Sequence, residues 1–214
     1  MIFFLGKLAG GNAFERFDQA ILLSLRVEGD LSDPVGPLWL EEAARDVTAL
    51  GSFALLILFT GAIAIFLWIS GKHRACGFII ASSLSGVVLS TYLKQFFNRP
   101  RPDIVPHEMH TLSMSFPSGH ALLSAVIFLS AGTLVSSTQP RAFVKAYVLI
   151  LALALTFSVG LTRLYLGVHW PTDVIGGWLA GGTWATGWWL IAQNFLPRRE
   201  TETFAITDEE TNYE

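Results

Sequence analysis

Apolar residues in this chain gather into long unbroken runs. Stretches without any charged side chain cover residues 47–71, 75–93, 121–140, 146–162 and 174–197. Each approaches the roughly 20 residues a helix needs to cross about 30 Å of hydrocarbon. In lipid only helices and closed barrels satisfy every backbone group, and the strict apolar/polar alternation of barrel strands is missing. The pattern therefore predicts an all-α, polytopic membrane bundle of five transmembrane helices. Ahead of it lie two amphipathic pieces. Phe14, Phe17, Ile21 and Leu25 recur at helical spacing between Glu15, Arg16, Asp18 and Arg26,. After a Gly/Pro-rich break at 29–37, Trp39, Leu40, Ala43, Val47 and Leu50 share a second face. Both are expected to lie along the membrane surface or to pack as a collar over the loops.

Composition strengthens this picture. Of 214 residues, 52% are hydrophobic and only 14% charged, where a soluble domain carries charge on about a quarter. The net charge of −3 says little about partners, and nothing points to nucleic acid. Cys76 is the single cysteine, which excludes an internal disulfide and a Cys-rich metal site. Residues 1–11 offer too short an apolar core for a signal peptide,. The expected organisation is an amphipathic segment over 1–46, a transmembrane domain over 47–197, and an acidic, disordered tail over 198–214.

Charge also orients the bundle. Five spans put the loops near 71–74 and 141 on the same side as the tail, and this side carries Lys72, Arg74, Arg141, Arg198 and Arg199, with Lys145 just inside the fourth span. On the opposite side, the segment before the first span has eight acids against four bases. The positive-inside rule places the C-terminus in the cytoplasm and the loops at 98–119 and 163–173 outside. Arg99, Arg101 and Arg163 lie on that outer side and need another reason for being there.

Three polar clusters supply one. Lys94 precedes Arg101-Pro102 where the second run ends, Pro117-Ser118-Gly119-His120 opens the third, and Arg163, His169 and Asp173 bridge the fourth and fifth. The count of spans puts all three at one membrane face. Lys94, Arg101 and Arg163 have no matching set of acids beside them, and Arg presents a fork suited to phosphate oxygens. Ser118 and Gly119 begin a helix, whose free N–H groups attract anions. His169 stands four residues before Asp173, so the carboxylate can turn back on the imidazole, fix its tautomer and leave it a competent nucleophile toward phosphorus. His120, when protonated, can supply a proton to a departing oxygen. No metal is required where three cations neutralise the developing charge.

These residues resemble the three signature motifs of the type 2 phosphatidic acid phosphatase superfamily, whose membrane members are lipid phosphate phosphatases. The resemblance runs from Lys94 to Asp173. It implies that His169 forms a phosphohistidine with Asp173 as its partner and that His120 is the general acid. It further implies that Lys94, Arg101, Ser118, Gly119 and Arg163 hold the phosphate, with no metal and no cofactor. The substrates it suggests are undecaprenyl pyrophosphate, phosphatidylglycerol phosphate and phosphatidic acid, hydrolysed at the outer face of a bacterial inner membrane. Two departures stand out: Thr162 replaces a common serine, and the family usually has six spans.

Three other readings compete. The same cradle could hold vanadate in a haloperoxidase-like oxidoreductase. A transporter would place its ionisable groups near the bilayer midplane on broken helices, and glycines 176, 177, 181 and 182 are better explained by close helix packing. A metal-dependent hydrolase would use His107 and His110, whose spacing fits one helix face but which sit in a Pro-flanked loop,. Oligomeric state is left open.

Overall fold

Each of the five uncharged runs contains one helix of the bundle, and the first also takes in the end of the helix before it. The computed structural model describes residue 6 and residues 12–104 and 114–195. The acidic tail, most of residues 1–11, and His107 and His110 lie outside the described residues. The chain begins with α1 (Asn12–Ser24), a two-stranded antiparallel ribbon of β1 (Arg26–Val27) and β2 (Asp30–Pro34), and α2 (Leu38–Ala49). The bundle follows: α3 (Phe53–Ile69), α4 (His73–Phe97), α5 (Gly119–Ser137), α6 (Ala142–Tyr165) and α7 (Pro171–Phe195).

Five spans were expected, and length with composition supports fewer. Helices α4, α5 and α6 are long and apolar enough to cross a membrane. Helix α3 has 17 residues and reaches the criterion only together with α2, from which it is bent by 49°. Helix α7 has the length, at 25 residues, but glycine and tryptophan dilute its hydropathy. It packs closely along α5.

Helix α5 is the axis of the bundle and is apolar on every side, as a helix surrounded by others must be. Leu122, Val126 and Ala121 are fully buried, with α7 on one flank and α6 and α4 on the others. Lipid offers no hydrophobic drive for helix association, so close van der Waals packing has to hold the helices together. Glycines on α7 allow it. A Cβ at Gly177 would stand 2.8 Å from the Ser118 carbonyl and 2.9 Å from Ala121 Cβ, and one at Gly181 would meet the Leu122 carbonyl. The outward faces of α3, α4 and α6 carry large exposed apolar side chains, among them Phe66, Val88, Phe143 and Ile150, as a lipid-facing surface does.

The N-terminal pieces form a packed collar. Helix α1 lies against α7, and α2 lies against α6. The ribbon was not foreseen, because β1 is only two residues long and too short to show a period. It is tied to the end of α6 by Arg26, which donates to the Tyr165 carbonyl at 2.9 Å, and by Tyr165, whose hydroxyl donates to the Val35 carbonyl at 3.1 Å.

The close contact of α5 and α7 can be tested by substitution. Gly181→Val should lower the thermal midpoint in detergent, since overpacking costs about 1–3 kcal/mol. Gly182→Ala, where an added Cβ meets nothing within 4 Å, should leave it unchanged.

Candidate active site

Helix α4 ends because Asn98 takes a left-handed cap at φ 46° and Pro100 follows. The reversal leaves Lys94 in the last turn and throws Arg99 and Arg101 back across the bundle end. Helix α5 begins there too. Ser118 is its N-cap, its hydroxyl accepting from Ala121 N at 3.5 Å, while its own N–H donates to the Asp173 carbonyl at 2.9 Å. Helix α7 starts with Pro171, which has no N–H to leave unpaired. Asp173 reaches back to accept from Trp170 N at 2.9 Å, the carboxylate half of a capping box. These helix ends bring the three clusters to one end of the bundle.

His169 is 1% exposed. Its Nε2 lies 3.2 Å from Arg101 Nη1. A guanidinium can only donate, so Nε2 carries the lone pair and Nδ1 the proton. Nδ1 faces Ser115 Oγ at 3.3 Å and Asp173 Oδ2 at 3.5 Å. The Ser115 hydroxyl also donates to Asp173 Oδ2, so it bridges the two groups. Arg99 Nη1 donates to Asp173 Oδ1 at 2.8 Å. Burial pushes His169 down to about 4, against the opposing pull of Asp173. Burial also holds the Arg101 guanidinium below its usual value, with Asp173 again pulling upward.

The other site residues face the same space. Arg163 is 1% exposed; its Nη1 donates to Thr48 Oγ1 at 3.1 Å, and its buried Nε has no hydrogen-bond partner among the described residues. Lys94 Nζ donates to the Met114 carbonyl at 2.6 Å, and its Cε lies 3.5 Å from where a Gly119 Cβ would stand. A glycine at the mouth of α5 therefore keeps open the space between the lysine and the helix N-terminus. His120 is within electrostatic reach of Arg163, His169, Arg101 and Lys94 and packs against Gly51.

The structure thus brings all eight expected site residues, Lys94, Arg101, Ser118, Gly119, His120, Arg163, His169 and Asp173, to one end of the bundle. It adds Ser115, Thr48, Arg99 and Asp18, which sequence reasoning did not assign. Of these, Ser115 and Arg99 carried a signal, Ser115 being five residues ahead of His120 in the same polar mouth and Arg99 a cation on the outer side. Among the described residues no group of three His, Cys, Asp or Glu side chains could hold a metal ion. A cavity of about 480 Å³ opens beside the cradle, lined in part by Asp18, Arg99, Asp103 and Trp170. The ionisable groups sit at the bundle end and not at mid-span, which disfavours the transporter reading.

The family model described as the PAP2 superfamily matches residues 49–197. The chain belongs to this superfamily. Phosphatidylglycerophosphatase B of Bacillus subtilis is 33% identical over 144 residues, 67% of this chain and 70% of its own length. An undecaprenyl-diphosphatase of Sulfolobus acidocaldarius is 35% identical over 148 residues, 67% of this chain and 63% of its own. In three dimensions the chain is similar to the crystal structure of a transmembrane PAP2 type phosphatidylglycerolphosphate phosphatase from Bacillus subtilis, with a TM-score of 0.82 at 26% identity, covering 90% of this chain and 92% of that one. With PAP2 membership comes the class of reaction: this is an integral-membrane phosphatase of lipid phosphates.

The buried imidazole makes a direct prediction. Nitrogen NMR of the protein in detergent should show His169 titrating near 4 and not near 6.5. Asp173→Asn should lower the value further, because the carboxylate is the group that stabilises the imidazolium.

Proposed function

We propose that the cradle hydrolyses a phosphomonoester or pyrophosphate of a membrane lipid through a phosphohistidine on His169, without a metal. The observation that carries this reading is the buried Arg163, whose Nε has no partner among the described residues and which faces the same space as Arg101 and the imidazole. A desolvated guanidinium with an unused donor is costly, and a phosphate oxygen would satisfy it.

The proposed steps use the groups at this bundle end in turn. Lys94, Arg101, Arg163 and the Ser118–Gly119 end of α5 hold the phosphoryl oxygens. The Nε2 lone pair of His169 attacks phosphorus, the N–P bond forms, and the P–O bond to the lipid breaks. His120 gives its proton to the leaving oxygen; the bound phosphate brings negative charge among the cations and so favours the protonated ring. Asp173 stabilises the positive charge that His169 gains. Water then attacks phosphorus, gives a proton to His120, and releases phosphate from Nε2.

Relatives carry the names of phosphatases for phosphatidylglycerol phosphate and undecaprenyl diphosphate, so a panel of these two lipids and phosphatidic acid tests the reading. The purified protein should release phosphate from at least one. His169→Ala should lose at least about 10³-fold in kcat, and His120→Ala about 10²–10⁴-fold. Quenching in alkaline detergent, where an N–P bond survives, should trap labelled phosphate on the wild-type protein and not on His169→Ala. Turnover retained in His169→Ala would remove the nucleophile assignment.

We further propose that the cradle faces the outside of a bacterial plasma membrane and the C-terminus the cytoplasm. Lys72, Arg74, Arg141 and Lys145 lie at the bundle end opposite the cradle, as the positive-inside rule requires. In a Cys76→Ser background, Ala142→Cys should react with an impermeant thiol reagent only in inverted vesicles. Labelling in intact cells would reverse the orientation.

A further inference from the structure

The carboxylate opposite Asp173 lies outside the bundle helices. Asp18 sits on α1, in the collar, yet it is 0% exposed and takes three hydrogen bonds from two other segments. Its Oδ1 accepts from Thr172 N at 2.9 Å. Its Oδ2 accepts from Thr172 Oγ1 and from Arg99 Nη2, both at 2.6 Å. Thr172 is in the first turn of α7, where a backbone N–H has no partner within its own helix. Asp18 therefore caps the catalytic helix from a different helix. Arg99 then spans the two carboxylates, with Nη2 on Asp18 and Nη1 on both Thr172 Oγ1 and Asp173 Oδ1 at 2.7 and 2.8 Å. The guanidinium lies over the Trp170 ring at 5.6 Å and is itself mostly buried.

Charge decides what this bridge does. With Asp18 in place, Arg99 is already matched, and Asp173 keeps its negative charge for the imidazolium that forms on His169. Without Asp18, the full positive charge of Arg99 would fall on Asp173 and blunt it as His169's partner. Desolvation makes the difference large, because such pairs act at low effective dielectric. We propose that Asp18 and Arg99 are positioning residues of the hydrolysis, through which the N-terminal collar sets the orientation and charge of the Asp173–His169 pair. This rests on the reading of His169 as nucleophile. Neither residue is among those assigned to the phosphate. Thr172 completes the arrangement by holding the first turn of α7 between them.

Among the described residues, charged and titratable groups reach the pair from four bundle helices and from the turn after α4. They are Lys94 from α4, Arg99 and Arg101 after it, His120 from α5, Arg163 from α6, and Asp173 from α7. Asp18 is the contribution of α1.

The test is steady-state kinetics of Asp18→Asn in detergent, on whichever lipid of the panel turns over fastest, with His169→Ala alongside. Asp18→Asn should lower kcat at least tenfold and leave KM within about twofold. The acid limb of its kcat/KM profile should move to lower pH, since a weakened Asp173 stabilises the imidazolium less. In an Arg99→Gln background the same change should cost less than about threefold more, because much of its effect passes through Arg99. Wild-type kcat in Asp18→Asn, an unshifted acid limb, or strictly additive losses would each overturn the proposal. Where Asp18→Asn does not survive extraction, Arg99→Lys replaces it. An ammonium cannot fork between two carboxylates, so kcat should fall with KM held, and an unchanged kcat refutes the coupling. If His169→Ala is inactive while Asp18→Asn is normal, only the coupling fails. If His169→Ala stays active, the nucleophile assignment fails first.

Discussion

The carboxylate of Asp173 is the point on which the rest of the site depends. Both of its oxygens are engaged, by Arg99 on one side and by Ser115 and Trp170 N on the other. Those donors come from the turn after α4, the approach to α5 and the start of α7. A buried carboxylate left short of donors would cost several kcal/mol, so these segments are held together by the need to satisfy it. His169, four residues back, is oriented as a consequence.

Packing below the site gives that carboxylate a rigid base. Helices α5 and α7 touch through backbone at Gly177 and Gly181, and the Ser118 N–H donates to the Asp173 carbonyl where the two helices start. The N-terminus of α5 and the first turn of α7 are therefore registered to each other within one hydrogen bond. A catalytic group misplaced by about 1 Å can lose about 10²-fold in rate, which is reason enough for a contact so close that only glycine fits on the α7 side. Polar grip continues deeper, where Trp184 and Trp188 both donate to Ser85 Oγ, at 3.1 and 3.0 Å, pinning α7 to α4.

Charge at this bundle end is unequal by design of the fold. Arg99 is matched to Asp18 and Asp173, whereas Lys94 leans on a carbonyl oxygen and Arg163 on a hydroxyl. Hydrogen bonds to neutral oxygens fix these side chains in place without neutralising them. The result is a preorganised electropositive cradle, the arrangement that stabilises a phosphoryl group as charge builds on its oxygens.

What the sequence determined by itself is what depends on short-range rules. Uncharged runs of bilayer length mark the helices, prolines and caps end and begin them, and the parity of spans puts Lys94, Arg101, Ser118, Gly119, His120, Arg163, His169 and Asp173 at one face. Even the glycines of α7 announced close packing. Tertiary structure alone decided what depends on contacts between distant segments. Among the described residues, α3 reaches the bilayer criterion only as a pair with α2 bent by 49°, and the glycines of α7 fit against α5. Asp18 reads in sequence as an ordinary polar position on an amphipathic helix, and Arg99 as one cation among several. Only folding brings Asp18 to Thr172 across 154 residues and makes a surface-type acid into a buried cap, since no local pattern records which distant N–H a carboxylate will satisfy.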